Sequence, residues 1–318
     1  MCDNSGASAQ SGEAEMDLGA IAQMAASNPE KAIQILEKEL KEDMLGAYNL
    51  DLMKSYIGKR GSKMEVNGVQ LYYETIGDGP HVVLLCPGTP GTIASDYLPQ
   101  MLPGGFDRDK FTLVSFEPRG YGQSIPPKRT SFVHGYQEED AKDAVTLMEK
   151  LGHARFSWIG WCAGGNIGVV TAALYPDRIR SLVAWGSYPV VTAKAHGAAI
   201  AMQNADNWSE KMLGPKLLEY EKTYLQNVFT ELFKYKMWVF ENNQGDCVKS
   251  YLSRVNCPTL VMWLKLDFFT EKEQVDVMLE NIPQAKLHVV EDGKHAFHLK
   301  YPTRFRDIVE EFLSTVPA

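Results

Sequence analysis

From residue 81 onward the chain alternates between short, continuously apolar runs and stretches of helical spacing, and few folds accommodate that alternation. The runs are 81–86 (HVVLLC), 111–116 (FTLVSF), 155–160 (RFSWIG), 180–186 (RSLVAWG), 258–264 (PTLVMWL) and 285–290 (AKLHVV). Helical patterns separate them at about 138–151, 163–175, 271–281 and 302–314. A strand that is apolar throughout is buried on both faces, and strand–helix alternation predicts a mostly parallel sheet with helices on both faces. Ahead of this region, Asn67-Gly68 separates Met64-Glu65-Val66 from Val69-Gln70-Leu71-Tyr72-Tyr73, which is a hairpin signal.

The exception is 187–250, which has no strand run and is rich in aromatic residues and Met, such as Trp208, Met212, Tyr220, Phe229 and Trp238. It reads as a helical cap inserted after the sixth strand, dividing an α/β core into 64–186 and 251–318. Residues 1–14 are small and polar and are expected to be disordered. Residues 15–63 read as a helical extension. Ser27-Asn28-Pro29-Glu30 has the form of a capping box with Pro in the first turn, and Ile33, Leu36 and Leu40 follow at helical spacing. Leu45, Leu50, Leu52 and Met53 continue into a second helix, and 59–62 form a short linker. A stripe this apolar is expected to pack on the rest of the chain or on a second copy, so a homo-oligomer through the extension is anticipated.

Composition excludes several function classes. The chain has 32 Lys+Arg against 40 Asp+Glu, a formal charge of −8, which argues against nucleic acid or anionic lipid as a partner. No window approaches the ~18 consecutive apolar residues of a membrane span. Five widely spaced cysteines with no CxxC do not form a disulfide framework or a structural zinc site, and they point to a reducing compartment. The start of the chain lacks an apolar signal region, and its first arginine is Arg60, so a cytoplasmic location is expected.

Gly160-Trp161-Cys162-Ala163-Gly164-Gly165 falls between the strand at 155–160 and the helix at 163–175. Glycines two before and two after a central residue let the backbone make the sharp, strained strand-to-helix turn of a nucleophile elbow. The central residue, Cys162, then stands above the carboxyl end of the sheet at the positive end of a helix dipole. A nucleophile needs a base and a group to orient it. Asp267 follows the strand at 258–264, and His295 follows the strand at 285–290. Both fall at carboxyl ends of strands, where sheets of this type place their sites. His298 is the rival base, whereas His288 lies inside a strand. The oxyanion hole is expected from the backbone N–H groups of Ala163 and of Thr89, in the loop Cys86-Pro87-Gly88-Thr89-Pro90-Gly91. No cofactor or metal is implied.

On these residues the chain from about 64 to 316 resembles the α/β-hydrolase superfamily, and within it the valacyclovir hydrolase (biphenyl hydrolase-like) group. The stretches that carry the resemblance are VNGVQLYYETIGDGPHVVLLCPGTPG, EPRGYGQSIPP, DAKDAVTLMEKLG, GWCAGGN, LSRVNCPTLVMWLKLD and EDGKHAFHLKYPTRF. The resemblance implies the triad Cys162, Asp267 and His295, with Thr89 and Ala163 as oxyanion donors. The chain departs from the pattern in three places. The nucleophile is Cys where that group has Ser; Cys at this position is familiar from dienelactone hydrolases and polyhydroxyalkanoate synthases. The residue after it, an Asp that binds the substrate's amino group in that group, is Ala163, so amino-acid ester specificity is not implied. The turn Trp263-Leu264-Lys265-Leu266-Asp267 lacks the usual glycine, and Phe268-Phe269 follows it.

The expected chemistry is attack by a thiolate on an ester, lactone or thioester carbonyl of a small molecule, through a thioester acyl-enzyme. Amides are poorer substrates, because the thiolate leaves a tetrahedral intermediate more readily than an amine does. The same cysteine would serve an acyltransferase or cyclase, and the fold can also keep a binding pocket without chemistry. The pocket is expected between the sheet's carboxyl edge and the cap, lined by Trp161, Tyr188 and Pro189.

Overall fold

The computed structural model describes residues 23–24, 27–44 and 49–317. An eight-stranded sheet runs through its centre in the order β1-β2-β4-β3-β5-β6-β7-β8. Strands β1 (Ser62–Val66) and β2 (Val69–Ile76) form the hairpin, and β2 pairs antiparallel with β4 (Phe111–Phe116). Asn67 and Gly68 both have positive φ, 47° and 82°, as a two-residue turn matched to strand twist requires. Strands β3 (His81–Cys86), β5 (Phe156–Trp161), β6 (Ile179–Trp185), β7 (Thr259–Leu264) and β8 (Ala285–Val290) are parallel to β4.

Alternate residues of the central strands enter different cores. Val83, Leu85, Ile159, Val183 and Trp185 pack on one face; Leu84, Cys86, Trp158, Leu182 and Ala184 pack on the other. Covering both faces is what makes these runs apolar without interruption. Every side chain of β4 and β5 is buried. Because β3 and β5–β8 run the same way, the loops after them gather at one edge, with the loop after β5 flanked by those of β3 and β6.

We number helices of ten or more residues, and the short N-terminal second one, in chain order. Helix α1 (Pro29–Met44) precedes α2 (Leu50–Tyr56). Helices α3 (Tyr136–Lys150), α4 (Ala163–Leu174), α7 (Lys272–Asn281) and α8 (Pro302–Ser314) cover the sheet. The segment between β6 and β7 forms the cap, led by α5 (Ala193–Met202) and α6 (Lys222–Asn242). Its two ends are tied together by a bridge between Val190 and Asp246. Among the described residues no helix is long and apolar enough to cross a membrane.

The extension packs on this assembly. Ala32 of α1 is fully buried in the cap's own cluster, with Ile33 and Ile35 against it. Met53 and Tyr56 of α2 are buried in the sheet's core, while Leu50 and Leu52 are exposed. The cap of α1 is Asn28 rather than a box built on Ser27: the Asn28 side chain accepts the Lys31 N–H at 3.1 Å, while Ser27 donates its hydroxyl to the Met24 carbonyl. Pro29 explains the shift, since it occupies the first helical position, where a missing N–H costs nothing. The tail 1–14, Leu45 and the side chains of Leu36 and Leu40 lie outside the described residues.

Candidate active site

Cys162 is the hinge of the turn from β5 into α4. Its backbone stands at φ 55°, ψ −120°, a left-handed conformation that a non-glycine residue adopts only under constraint. The constraint is visible on both sides. The Cys162 N–H donates to the Trp185 carbonyl at 2.9 Å, and the Cys162 carbonyl accepts from Gly165 and Asn166. A β-carbon at Gly160 would stand 2.3 Å from the Gly164 carbonyl oxygen, and one at Gly164 would stand 2.2 Å from that of Cys86. The flanking glycines are therefore conditions for the turn to close.

His295, on the loop after β8, lines the same cavity as the Cys162 thiol and acts on it electrostatically. Its Nδ1 lies 2.9 Å from Asp267 Oδ2. The other oxygen of Asp267 accepts backbone N–H groups from Phe269 at 2.8 Å and Thr270 at 3.3 Å. The turn without the usual glycine is held by Lys265 and Leu266, whose N–H groups donate to Val290 and Gly293 of the β8 side. Rings wall the imidazole: Trp161 lies 5.2 Å away and Phe269 also 5.2 Å, centroid to centroid.

The electrostatics follow from this geometry. Burial pushes the Cys162 thiol up, but His295 and the more distant Lys236 outweigh it and hold the thiol below its usual value. Burial works against a charged His295, yet Asp267 and the thiol raise it well above the ordinary imidazole value. Both shifts act in the direction of a charged thiol and a charged imidazole. Burial drives the other described cysteines the opposite way: Cys86 well up, Cys247 to about 12 and Cys257 to about 11.

The rival His298 has a different situation. It is completely buried, its Nε2–H donates to the Asp96 carbonyl at 2.8 Å, and burial lowers it to about 3. It packs on Trp161 and Trp185 beneath the site.

The loop after β3 passes beside the thiol: a β-carbon at Gly88 would stand 3.3 Å from Cys162 Cβ. The Thr89 N–H has no acceptor among the described residues, and the Ala163 N–H faces the Cys162 sulfur. The loop is held by Asp96, a fully buried carboxylate that accepts the Gly88 N–H at 2.9 Å and the Ser95 hydroxyl at 2.6 Å. Lys216 of the cap completes it at 3.1 Å.

A cavity of about 180 Å³ opens between this edge and the cap. Trp161, Cys162, Tyr188 and His295 line it together with Met202, Trp208, Phe229 and Phe233 of the cap. Pro189 corrects the sequence reading. It does not line the cavity; its carbonyl accepts the N–H groups of Cys247 and Val248, at 3.1 and 3.0 Å, and so fastens the start of the cap to its end. Asp96, Gly186, Phe269 and Lys236 border the cavity but were not singled out from the sequence. Gly186 carried a signal in its place at the end of a strand; a buried Asp or a pocket-facing Lys looks like any surface charge in one sequence.

The family model for the alpha/beta hydrolase fold matches residues 81–215. Serine hydrolase BPHL of Mus musculus is 35% identical over 252 residues, covering 79% of this chain and 86% of the relative. The chain belongs to the α/β-hydrolase family. The Homo sapiens serine hydrolase BPHL is 34% identical over 258 residues, again covering 79% and 86%. Among solved structures, the α/β-hydrolase MGS-M2 from a Medee basin deep-sea metagenome library superposes with a TM-score of 0.66 at 18% identity, covering 81% of this chain and 98% of that one. The enol-lactonase from Burkholderia xenovorans LB400 gives a TM-score of 0.59 at 20% identity, covering 79% and 99%. These structural likenesses concern the fold. As an α/β-hydrolase the chain is an enzyme of hydrolytic type, and it carries Cys162 at the elbow, whereas the mouse and human relatives are named serine hydrolases.

Proposed function

We propose that this α/β-hydrolase cleaves a small-molecule ester, lactone or thioester through Cys162, His295 and Asp267 by way of a thioester acyl-enzyme. The observation that carries the reading is the Asp267–His295 pair sharing one cavity with a cysteine at the elbow, with that thiol alone among the described cysteines pulled below its ordinary pKa. One structural neighbour is an enol-lactonase, which is compatible with an oxygen-ester substrate here.

The thiolate of Cys162 attacks the carbonyl carbon while His295 holds the proton. The carbonyl electrons move onto oxygen, where the N–H groups of Thr89 and Ala163 stabilise them. Collapse re-forms the carbonyl and breaks the bond to the leaving alcohol or thiol, which takes the proton from His295. Neutral His295 then removes a proton from water, and the hydroxide adds to the thioester. Cys162 leaves as thiolate beside the imidazolium, and the carboxylic acid departs. Asp267 keeps the imidazole oriented and stabilises its charge throughout. The apolar wall of the cap suits an apolar portion of the substrate.

Intact-mass spectrometry after brief exposure to a panel of esters, lactones and acyl thioesters tests this. An acyl group retained on Cys162, and absent from Cys162→Ala, is the expected result. Turnover that persists in Cys162→Ala would overturn it.

A further inference from the structure

Lys236 lies in the middle of α6 and borders the catalytic cavity. Its ammonium stands 3.9 Å from the centroid of the Tyr188 ring and 5.6 Å from that of Phe233. Among the described residues no carboxylate pairs with it. Its neighbours on the chain show how unusual that is. Lys234 on the same helix faces outward and pairs with Glu231 at 2.8 Å. The cavity's other lysine, Lys216, is held by Asp96.

The charges around the cavity can be balanced group by group. Asp96 is matched by Lys216, and Asp267 by His295. Position 163, directly after the nucleophile, is Ala and carries no charge. What remains is the ammonium of Lys236 facing the Cys162 thiolate. Burial lowers the lysine's pKa, and the Cys162 and Cys247 thiols offset only part of that. The aromatic face of Tyr188 is a partial partner, worth about 0.5–2 kcal/mol in general. A cation in an apolar wall is ordinarily given a full counter-charge, since its desolvation is otherwise uncompensated. When Cys162 is acylated its sulfur loses its charge, so among the described residues Lys236 then has no anionic partner.

We propose that Lys236 is an anion-recognising residue, and that the substrate carries a carboxylate close to its scissile carbonyl. The apolar remainder of the cavity takes the rest of the molecule, and the carboxylate supplies the counter-charge that Lys236 lacks once the sulfur is acylated. This rests on the assignment of Cys162 as nucleophile and extends it to a substrate class. A merely electrostatic role, in which Lys236 only favours the thiolate, would act on every reagent alike.

Iodoacetate and iodoacetamide separate the two, because they differ in a carboxylate and share the same reaction at sulfur. The alkylation rate of Cys162 by each is measured by peptide mass mapping in the wild type, Lys236→Met and Lys236→Arg. The iodoacetate-to-iodoacetamide ratio is expected to fall about tenfold or more in Lys236→Met, the size of a charge-assisted hydrogen bond. It should be largely kept in Lys236→Arg, which also shows that the pocket survives substitution. A ratio that stays constant in Lys236→Met, whether the rates themselves fall or not, overturns the proposal. A second arm compares kcat/KM for the nitrophenyl esters of hemiglutarate and of valerate, whose ratio should fall in the same variant. An alkylation ratio that shifts, together with no turnover of any ester, lactone or thioester of the panel, would sink the hydrolytic reading and leave the anion site standing.

Discussion

Gly186 and His295 meet so closely that a β-carbon at 186 would stand 2.7 Å from the histidine's Cε1 and 3.0 Å from its Nδ1. The glycine directly follows β6, at φ 60°, and the imidazole occupies the space its missing side chain leaves. Replacing Gly186 by Ala must move either the backbone or a ring already held by Asp267, Trp161 and Phe269. We expect Gly186→Ala to lose about 10²-fold or more in kcat, the scale of a misplaced general base. Left-handed backbone strain should cost about 1–2 kcal/mol of stability. Steady-state kinetics and thermal unfolding read the two separately, and a fully active variant would show that His295 has room to spare.

The Cys162–His295 pair sets a pH dependence. The thiol lies below its usual value and the imidazole well above, so both shifts favour the ion pair over the neutral pair. In Cys162→Ser no thiolate exists, and His295 must be neutral to act as base. The acid limb of kcat/KM should therefore move to higher pH, and the maximal rate should fall by about tenfold or more. A serine variant with the parent's rate and profile would mark an ordinary serine-type site.

His295→Ala should remove activity by more than about 10²-fold, while His298→Gln should cost far less, since His298 lies beneath Trp161 and not on the thiol. Its effect belongs to stability. With an ordinary value of 6.5 and a folded value of about 3, His298 stays neutral in the fold while the unfolded chain takes a proton. Its contribution is complete above pH 6.5 and is lost as pH falls towards 3, at about 1.4 kcal/mol per pH unit. Denaturant unfolding across that range should show a shallower acid slope in His298→Gln.

Removing residues 1–48 should uncover the cap surface on which Ala32, Ile33 and Ile35 pack. Exposing that apolar area is expected to lower stability by on the order of 2–4 kcal/mol and to raise binding of a hydrophobic dye. Unchanged melting and dye binding would mean that α1 only rests against the cap.

The alternation that defines the sheet was readable because strand and helix periods are local properties. Val83 and Leu84 point to opposite faces simply by being consecutive, and both are apolar because both faces are covered. The hairpin at Asn67-Gly68 was readable for a similar reason: two residues that tolerate positive φ nearly dictate the turn. The elbow was readable because Gly160 and Gly164 are spaced for a backbone that passes within van der Waals distance of itself. The choice between His295 and His298 was harder. They stand three residues apart, and only packing decides that one meets a carboxylate and the other a backbone carbonyl.

Residue types and spacing along the chain thus determined the sheet, the sharp turn at Cys162 and the loops that could supply a base and an acid. Tertiary structure alone decided the pocket. Pro189 was expected there by proximity to Tyr188, but the closing of the cap turned its carbonyl to Cys247 and Val248. Lys234 and Lys236 look alike in sequence, as two charges on one helix. Residues two apart on an α-helix point roughly 200° from each other. Once α6 lies over the carboxyl edge of the sheet, one of them must face water and Glu231, and the other must face the cavity. Which is which depends on how the helix is rotated about its axis, and that is set by long-range packing.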